Sequence, residues 1–549
     1  MSLPSAVRTD GTTEHLWGRL RTALSRRLRV DLRALAALRI GLGCLLLADL
    51  LLRSRDLVAF YTDAGVLPQS LLYAQYPTVG RLSLHALSEA AWYQAALFVL
   101  AGICAVCLLV GYRTRVAVLC SWLLLVSLHA RNPLVLNGGD SVLRRLLFWS
   151  LFLPLGARWS VDASRGRVRW GTAPGTRTVV GGATVGLLLQ VILIYTVNAG
   201  FKLKSERWTS GDALAYVFEL GEFTTPVGTA LTQYPGLLTA LDTVWLVLLV
   251  GSVLLVATTG WRRVALVGLF VGAHLSMAAT MRLGLFPYIS VVALVPFLPT
   301  GVWNRVERAL GRMRPVRVRL LPTRRPSAPS PIAGYNSLGS WCRETACIER
   351  LLSNVPKRLS RNYSRQYEIG PDKNGRRRYS TTFRRTAGQA ARVVVVGVLL
   401  LMLCWNAMSL GLVDTPAVVS ESVSPGSNGW TMFVGPPDTE FWLIAPATTD
   451  SGERVDALHG GRATSEPPPA GTARYPNSRW RKYAHNAVGN DRLYDGVAHG
   501  LCERRQRHHS SQIESLELTL VTEETNLGGA DESDRTEIAS YSCPVGQSA

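Results

Sequence analysis

In this chain, chemistry would concentrate at polar side chains set inside long apolar runs or at their ends. Each such group costs a few kcal/mol in lipid unless it faces a packed or hydrated interior. Lys202 follows Ala199-Gly200 at the end of one run, where partial desolvation would make an amine a usable base near neutral pH. His274 is in the middle of a run, His129 ends one and Asp140 precedes one, so these three are the polar groups that could support such a base. Arg39, Asp49, Gln190, Asn198 and Arg282 complete the set. Every one of them also has a purely structural reading. Arg39 and Asp49 fit helix packing or snorkelling, Arg282 an interfacial charge, and Lys202 a snorkelling one. Asp140, in Asn137-Gly138-Gly139-Asp140-Ser141, fits a helix N-cap, and His129, His274, Gln190 and Asn198 fit hydrogen bonds between helices. His508-His509 reads as a surface pair, since neighbouring residues on one segment rarely face the same ion, and no metal is expected. Walker, His-Glu-x-x-His and Gly-x-Ser-x-Gly motifs are missing from the sequence.

The elements that must position these residues follow from the composition. The 549 residues carry a formal charge of +21, yet only 18% are charged and 48% are hydrophobic. Apolar runs of membrane-spanning length recur through the first 300 positions, which excludes a cytosolic enzyme, a disulfide-rich secreted module and a disordered acidic tail. Hydropathy places spans near 34–52, 92–111, 115–130, 141–157, 179–200, 236–257, 264–281, 285–300 and 393–413. The expected fold is an all-α polytopic bundle of about 8–9 transmembrane helices with a small extracytoplasmic α+β domain at the C-terminus.

Positive charge supports that list independently of hydropathy, because arginines recur on alternate connections. The amino-terminal arm, Arg113, the group Arg165, Arg167, Arg169 and Arg177, and the pair Arg262-Arg263 fall on one side, which the bias makes cytoplasmic. Residues 301–392 hold 21 Lys/Arg and 5 Asp/Glu, whereas residues 414–549 hold 11 Lys/Arg and 19 Asp/Glu. The basic excess is therefore compartmental, and it points to anionic lipid headgroups rather than nucleic acid. The resulting organisation is a basic cytoplasmic arm (1–33), a transmembrane domain (34–300), a basic and largely disordered cytoplasmic linker (301–392), a final span (393–413) and the extracytoplasmic region (414–549).

Within that last region, Trp430–Val434, Phe441–Ile444 and Leu516–Val521 read as strands, and Tyr475–Tyr483 with the following residues as a helix capped near Asn477 or Ser478. A further helical fragment is expected around 343–353 in the linker. Cys502 and Cys543 are the only cysteines of the outer region, where a disulfide between them is permitted. Cys104-x-x-Cys107 lies in an apolar span and reads as two packing residues.

Several strings together resemble one family. They are Phe60-Tyr61-Thr62-Asp63-Ala64-Gly65-Val66-Leu67-Pro68, Gly111-Tyr112-Arg113-Thr114-Arg115, Trp159-Ser160-Val161-Asp162, Ala199–Trp208 and Leu283-Gly284-Leu285-Phe286-Pro287-Tyr288. Over about residues 30–310 the chain looks like the horizontally transferred transmembrane (HTTM) family, which is related to the membrane part of vitamin K-dependent gamma-glutamyl carboxylase. The resemblance implies a multi-pass cell-membrane protein and a reduced naphthoquinone (menaquinol or vitamin K hydroquinone) as cofactor. It also implies oxidation of that quinol by oxygen to generate a strong base, with an extracytoplasmic protein or peptide as partner. In the carboxylase motif, Ala-Gly and one further residue precede two lysines. Here Lys202 matches the first lysine and Leu203 replaces the second, the one assigned as initiating base, which leaves Lys202 or Lys204 for that role. Asp140 stands near the position of the carboxylase's supporting histidine, and His274 looks like a retained family histidine. The alternative to catalysis is a membrane anchor or assembly partner whose outer domain binds another envelope protein.

Overall fold

The computed structural model describes residue 19, residues 22–166, 176–312, 396–405, 407–408, 413–414 and 435, and residues 439–458, 475–488, 490–508, 512–524 and 532–543. Most of the basic linker, its expected helix at 343–353, the expected strand Trp430–Val434 and His509 lie outside these residues.

Six of the described helices are long and apolar enough to cross a membrane: α1 (Leu32–Ser54), α2 (Ala91–Val110), α3 (Thr114–Arg131), α5 (Gly182–Lys202), α6 (Pro235–Ala257) and α7 (Gly260–Thr280). A seventh is counted if Phe286–Phe297 and Thr300–Leu310 form one bent span. The expected fourth span is realised as a shorter helix, α4 (Gly138–Ser150). Its 13 residues fall short of the ~20 needed to cross, and it carries Arg144 and Arg145. Asn137 and Asp140 start it with a reciprocal capping box, and a 3-10 turn at Leu155–Ala157 follows its end. Helix α8 (Phe286–Leu294) continues into a 3-10 turn and is followed by α9 (Thr300–Arg312). Of the expected last span, the apolar helix α10 (Val396–Trp405) is described, and its Val398, Leu399 and Met402 pack on the bundle core.

The helix ends sort into two groups. At one end, strand β1 (Val30–Asp31) pairs with β2 (Thr178–Val179), and Arg263 donates to the carbonyl of Arg27. There, too, Asp162 accepts from the backbone N–H groups of Arg113 and Thr114. The arginine-bearing connections read as sharing one side therefore gather at one end of the bundle. Arg39 reaches this end as well and donates to the Trp159 carbonyl at 2.6 Å. Gly111 ends α2 with φ +72°, and a Cβ there would strike the Arg39 guanidinium, so both its conformation and its neighbour require glycine.

The carboxyl-terminal domain covers the other end, and it belongs to the same compact unit as the bundle. Strand β6 (Ile513–Glu524) is its axis. It pairs antiparallel on one side with β7 (Glu532–Ser542) and on the other with β3 (Thr439–Ile444) and β4 (Pro446–Thr449) in tandem, with β5 (Arg454–Asp456) on β4. Helices α11 (Ser478–Ala487) and α12 (Asp491–His508) pack beside this sheet, and Cys502 of α12 is bonded to Cys543 with Cα atoms 5.9 Å apart. Asn477 caps α11 by accepting from the N–H groups of Arg479 and Trp480. The segment holding Phe60-Tyr61 through Leu67 shares one hydrophobic core with Trp442, Trp480, Tyr483, Val497 and Leu516. Gly496 lets α12 approach it closely, since a Cβ there would lie 2.6 Å from the Val66 carbonyl oxygen.

Candidate functional site

The end of the bundle under the carboxyl-terminal domain holds a buried ionic cluster. Asp49 and Arg53 sit one helical turn apart on α1, and Arg53 Nε donates to Asp49 Oδ2 at 2.7 Å. The same guanidinium donates to Asp140 Oδ1 at 2.6 Å and to the Tyr61 hydroxyl at 2.7 Å. Asp140 therefore does two jobs at the start of α4: one oxygen closes the capping box and the other takes a charge. His129 joins from the end of α3, with its Nε2 3.8 Å from Asp140 and 3.2 Å from Arg53, while its Nδ1 lies 3.2 Å from Arg144.

The second cation comes from the carboxyl-terminal domain. Arg479, on α11, donates to Asp49 Oδ1 at 2.5 Å and to Asp140 Oδ2 at 3.3 Å. Burial and the charge of Arg53 weigh against ionised Arg479, but Asp140 and Asp49 outweigh both and hold its guanidinium above the ordinary arginine value. Two carboxylates thus meet two guanidiniums with bonds to each, the arrangement under which a buried ion cluster is tolerated. Donor atoms of Asp49, His129 and Asp140 also lie within 4.8 Å of one another, a spacing a metal could use. Arg53 and Arg479 already take up that negative charge, so the donor set does not favour a metal.

Lys202 has a different setting. It is 2% exposed at the end of α5, with Nζ 3.2 Å from the centre of the Trp208 ring and Asp242 of α6 as its acidic neighbour. An ammonium on an indole face gains roughly 0.5–2 kcal/mol, more as water is excluded. His274 occupies a third setting. Its Nε2 lies 2.9 Å from the Tyr195 hydroxyl, and Trp245 and Phe286 stand edge-on to its ring at 5.6 and 5.9 Å. His274 Nδ1 is buried and has no hydrogen-bond partner among the described residues. Tyr195 and Lys202 lie two turns apart on α5, so one helix links these two settings.

Of the four residues singled out from the sequence, the fold brings His129 and Asp140 together and seats Lys202 and His274 separately. Reading the sequence missed Arg53, Tyr61, Arg144, Tyr195, Trp208, Asp242 and Arg479. Two of these had a signal, because Asp49/Arg53 and Asp140/Arg144 are opposite charges at i,i+4 in or beside apolar runs. Arg479 had none, since its partners are more than 330 positions away.

A polar seam surrounds Arg479. Asn477 and the Trp480 indole donate to Asp56, the Tyr483 hydroxyl to the Val66 carbonyl, and Asn486 to the Leu134 carbonyl. Arg481 donates to the Glu222 and Arg282 carbonyls and lies over the Phe223 ring. A family model described as HTTM domain matches residues 28–303, just over half of the chain. No curated protein matches the chain, and no solved structure does.

Proposed function

The chain belongs to the HTTM family, and from that premise we propose that it is a membrane enzyme coupling quinol oxidation to base-initiated chemistry, with Lys202 as the base. A reduced naphthoquinone, when bound, supplies the electrons that oxygen consumes. The chain's own residues supply a polar group and aromatic rings that would suit such a planar, hydroxyl-bearing partner. His274 Nδ1 is a buried ring nitrogen without a partner among the described residues, and Tyr195, Trp245, Phe270 and Phe286 offer ring faces and edges around it. In this reading His274 and Tyr195 orient a hydroxyl, Lys202 takes a proton onto Nζ, and Trp208 keeps bulk water from that amine. His129 and Asp140 hold the neighbouring helix ends in register. Positive charge bias makes the arginine-rich end cytoplasmic and puts the carboxyl-terminal domain outside.

The observation that carries the proposal is the burial of the Lys202 side chain at the end of a long helix. A snorkelling lysine would instead extend its amine into water. The test is incubation of the purified protein with menaquinol and oxygen, followed by mass spectrometry for the quinone epoxide. Wild type turns over. Lys202→Arg keeps a cation for Trp208 but cannot release its proton, so it abolishes product. No product from wild type would favour the second reading, a non-catalytic anchor or assembly partner. That reading draws support from the dense hydrogen bonding between bundle and carboxyl-terminal domain.

A further inference from the structure

A small cavity lies between α1, α2 and α3, immediately beneath the ionic cluster. Its volume is about 20 Å³, and its walls include Leu46, Leu124 and Leu128 together with three polar side chains, Asp49, His85 and Ser121. An internal water needs roughly 10–15 Å³ and two to four polar partners, so this cavity has room for one water and the groups to hold it. A wholly apolar cavity of this size would stay dry, but this one sets three polar side chains in an otherwise apolar wall.

Hydrogen-bond accounting gives each partner a role. Ser121 is 4% exposed, and its Oγ has no partner among the described residues. A hydroxyl left unsatisfied in that setting costs about 1–3 kcal/mol, which a single water would remove. His85, on the 3-10 turn Leu84–Ala86, has its backbone N–H and its Nδ1 both against the Ser127 hydroxyl, at 3.1 and 2.7 Å. That oxygen accepts from the backbone and can either donate to Nδ1 or accept from it, so Nε2 is a donor in one tautomer and an acceptor in the other. Asp49 gives one oxygen to Arg53 and the other to Arg479, and each retains a further lone pair.

We propose that this cavity is a water site joining Ser121 and His85 to the Asp49 carboxylate. The water accepts from Ser121 Oγ–H, donates to Asp49 and bonds His85 Nε2 in whichever tautomer the ring adopts, three bonds in all, the usual number for a buried water. The ionic cluster then has a hydrogen-bonded extension that runs from Ser127 through His85 and the water to Asp49, and on to Arg479 of the carboxyl-terminal domain. The proposal is independent of whether Lys202 is a base.

The test is a high-resolution electron cryo-microscopy map of the full wild-type chain in a lipid nanodisc. The expected result is a discrete density peak within hydrogen-bond distance of Ser121 Oγ and Asp49. An empty cavity, or density continuous with a lipid tail, would overturn the proposal. Radiolytic labelling in ¹⁸O water provides a second readout on the intact chain: Leu124 and Leu128 take up label in wild type and lose it in Ser121→Val, which fills the space. Labelling that is absent in wild type, or unchanged by that substitution, would contradict a water there.

Discussion

At the residue scale, the ionic cluster makes Arg479 a structural counter-charge for Asp49 and Asp140. Removing one partner of a buried pair leaves an uncompensated charge and typically costs 3–5 kcal/mol. Arg479→Ala should therefore destabilise the folded chain by about that much, read as a shift in denaturant midpoint in detergent. Adding Asp49→Asn restores the charge balance, so the double variant should recover a large part of the loss, and strict additivity would argue against direct coupling. His85 gives a pH signature. Burial, helped by the charges of Arg131 and Arg53, pushes its imidazole down to about 3. A group held below its unfolded value of ~6.5 contributes stability that is intact above that pH and is lost as pH falls toward 3. Lowering the pH from 6.5 to 5 should cost about 2 kcal/mol from this group alone, and His85→Gln should flatten the unfolding profile over that window. A profile identical in the variant would mean that His85 is not the source.

Helices and strands differ in how far they could be read from sequence. The apolar runs announced α1, α2, α3, α5, α6 and α7 because a helix in lipid must satisfy its backbone internally and carry an apolar surface. The run at 141–157 misled on length: Leu146, Leu147, Trp149 and Leu153 are apolar because they are buried among other helices. Hydropathy cannot separate a core-facing surface from a lipid-facing one. In the carboxyl-terminal domain, the Asn477 cap and the alternation of Leu516 and Leu518 were legible, being local patterns, although the core position after them is taken by Val521 and Leu520 is only partly buried. Helix α12 was not, because Arg504, Arg505 and Arg507 and a low apolar content hide its inward residues Leu493, Val497 and Leu501. The candidate site was half legible. His129 and Asp140 lie at helix ends that a short connection brings together, while the counter-charges and aromatic neighbours arrive through tertiary packing. Asn477 serves α11 twice, as its cap and as a donor to Asp56. Asn477→Ala should cost about 1 kcal/mol from the lost cap alone. Asn477→Ser retains a capping oxygen but not the reach to Asp56, so urea titration of the two variants separates the contributions.

At the scale of the whole molecule, the candidate site depends on one arrangement. Successive long helices run antiparallel, so the ends bearing Asp49, His129, Asp140 and Lys202 face the carboxyl-terminal domain while the arginine-rich connections face away. Arg479 can balance the buried carboxylates only if the bundle ends and the last hundred residues share one side of a membrane. Cysteine-accessibility labelling of intact cells with an impermeant maleimide tests this most directly, using single cysteines at the exposed positions Arg165, Ser210 and Glu517 in a background without other reactive thiols. The account predicts that the cysteines at 210 and 517 label from the same side and that the one at 165 labels only after the membrane is opened. Labelling of 165 and 210 from one side would contradict the antiparallel arrangement, and with it the site built on its helix ends.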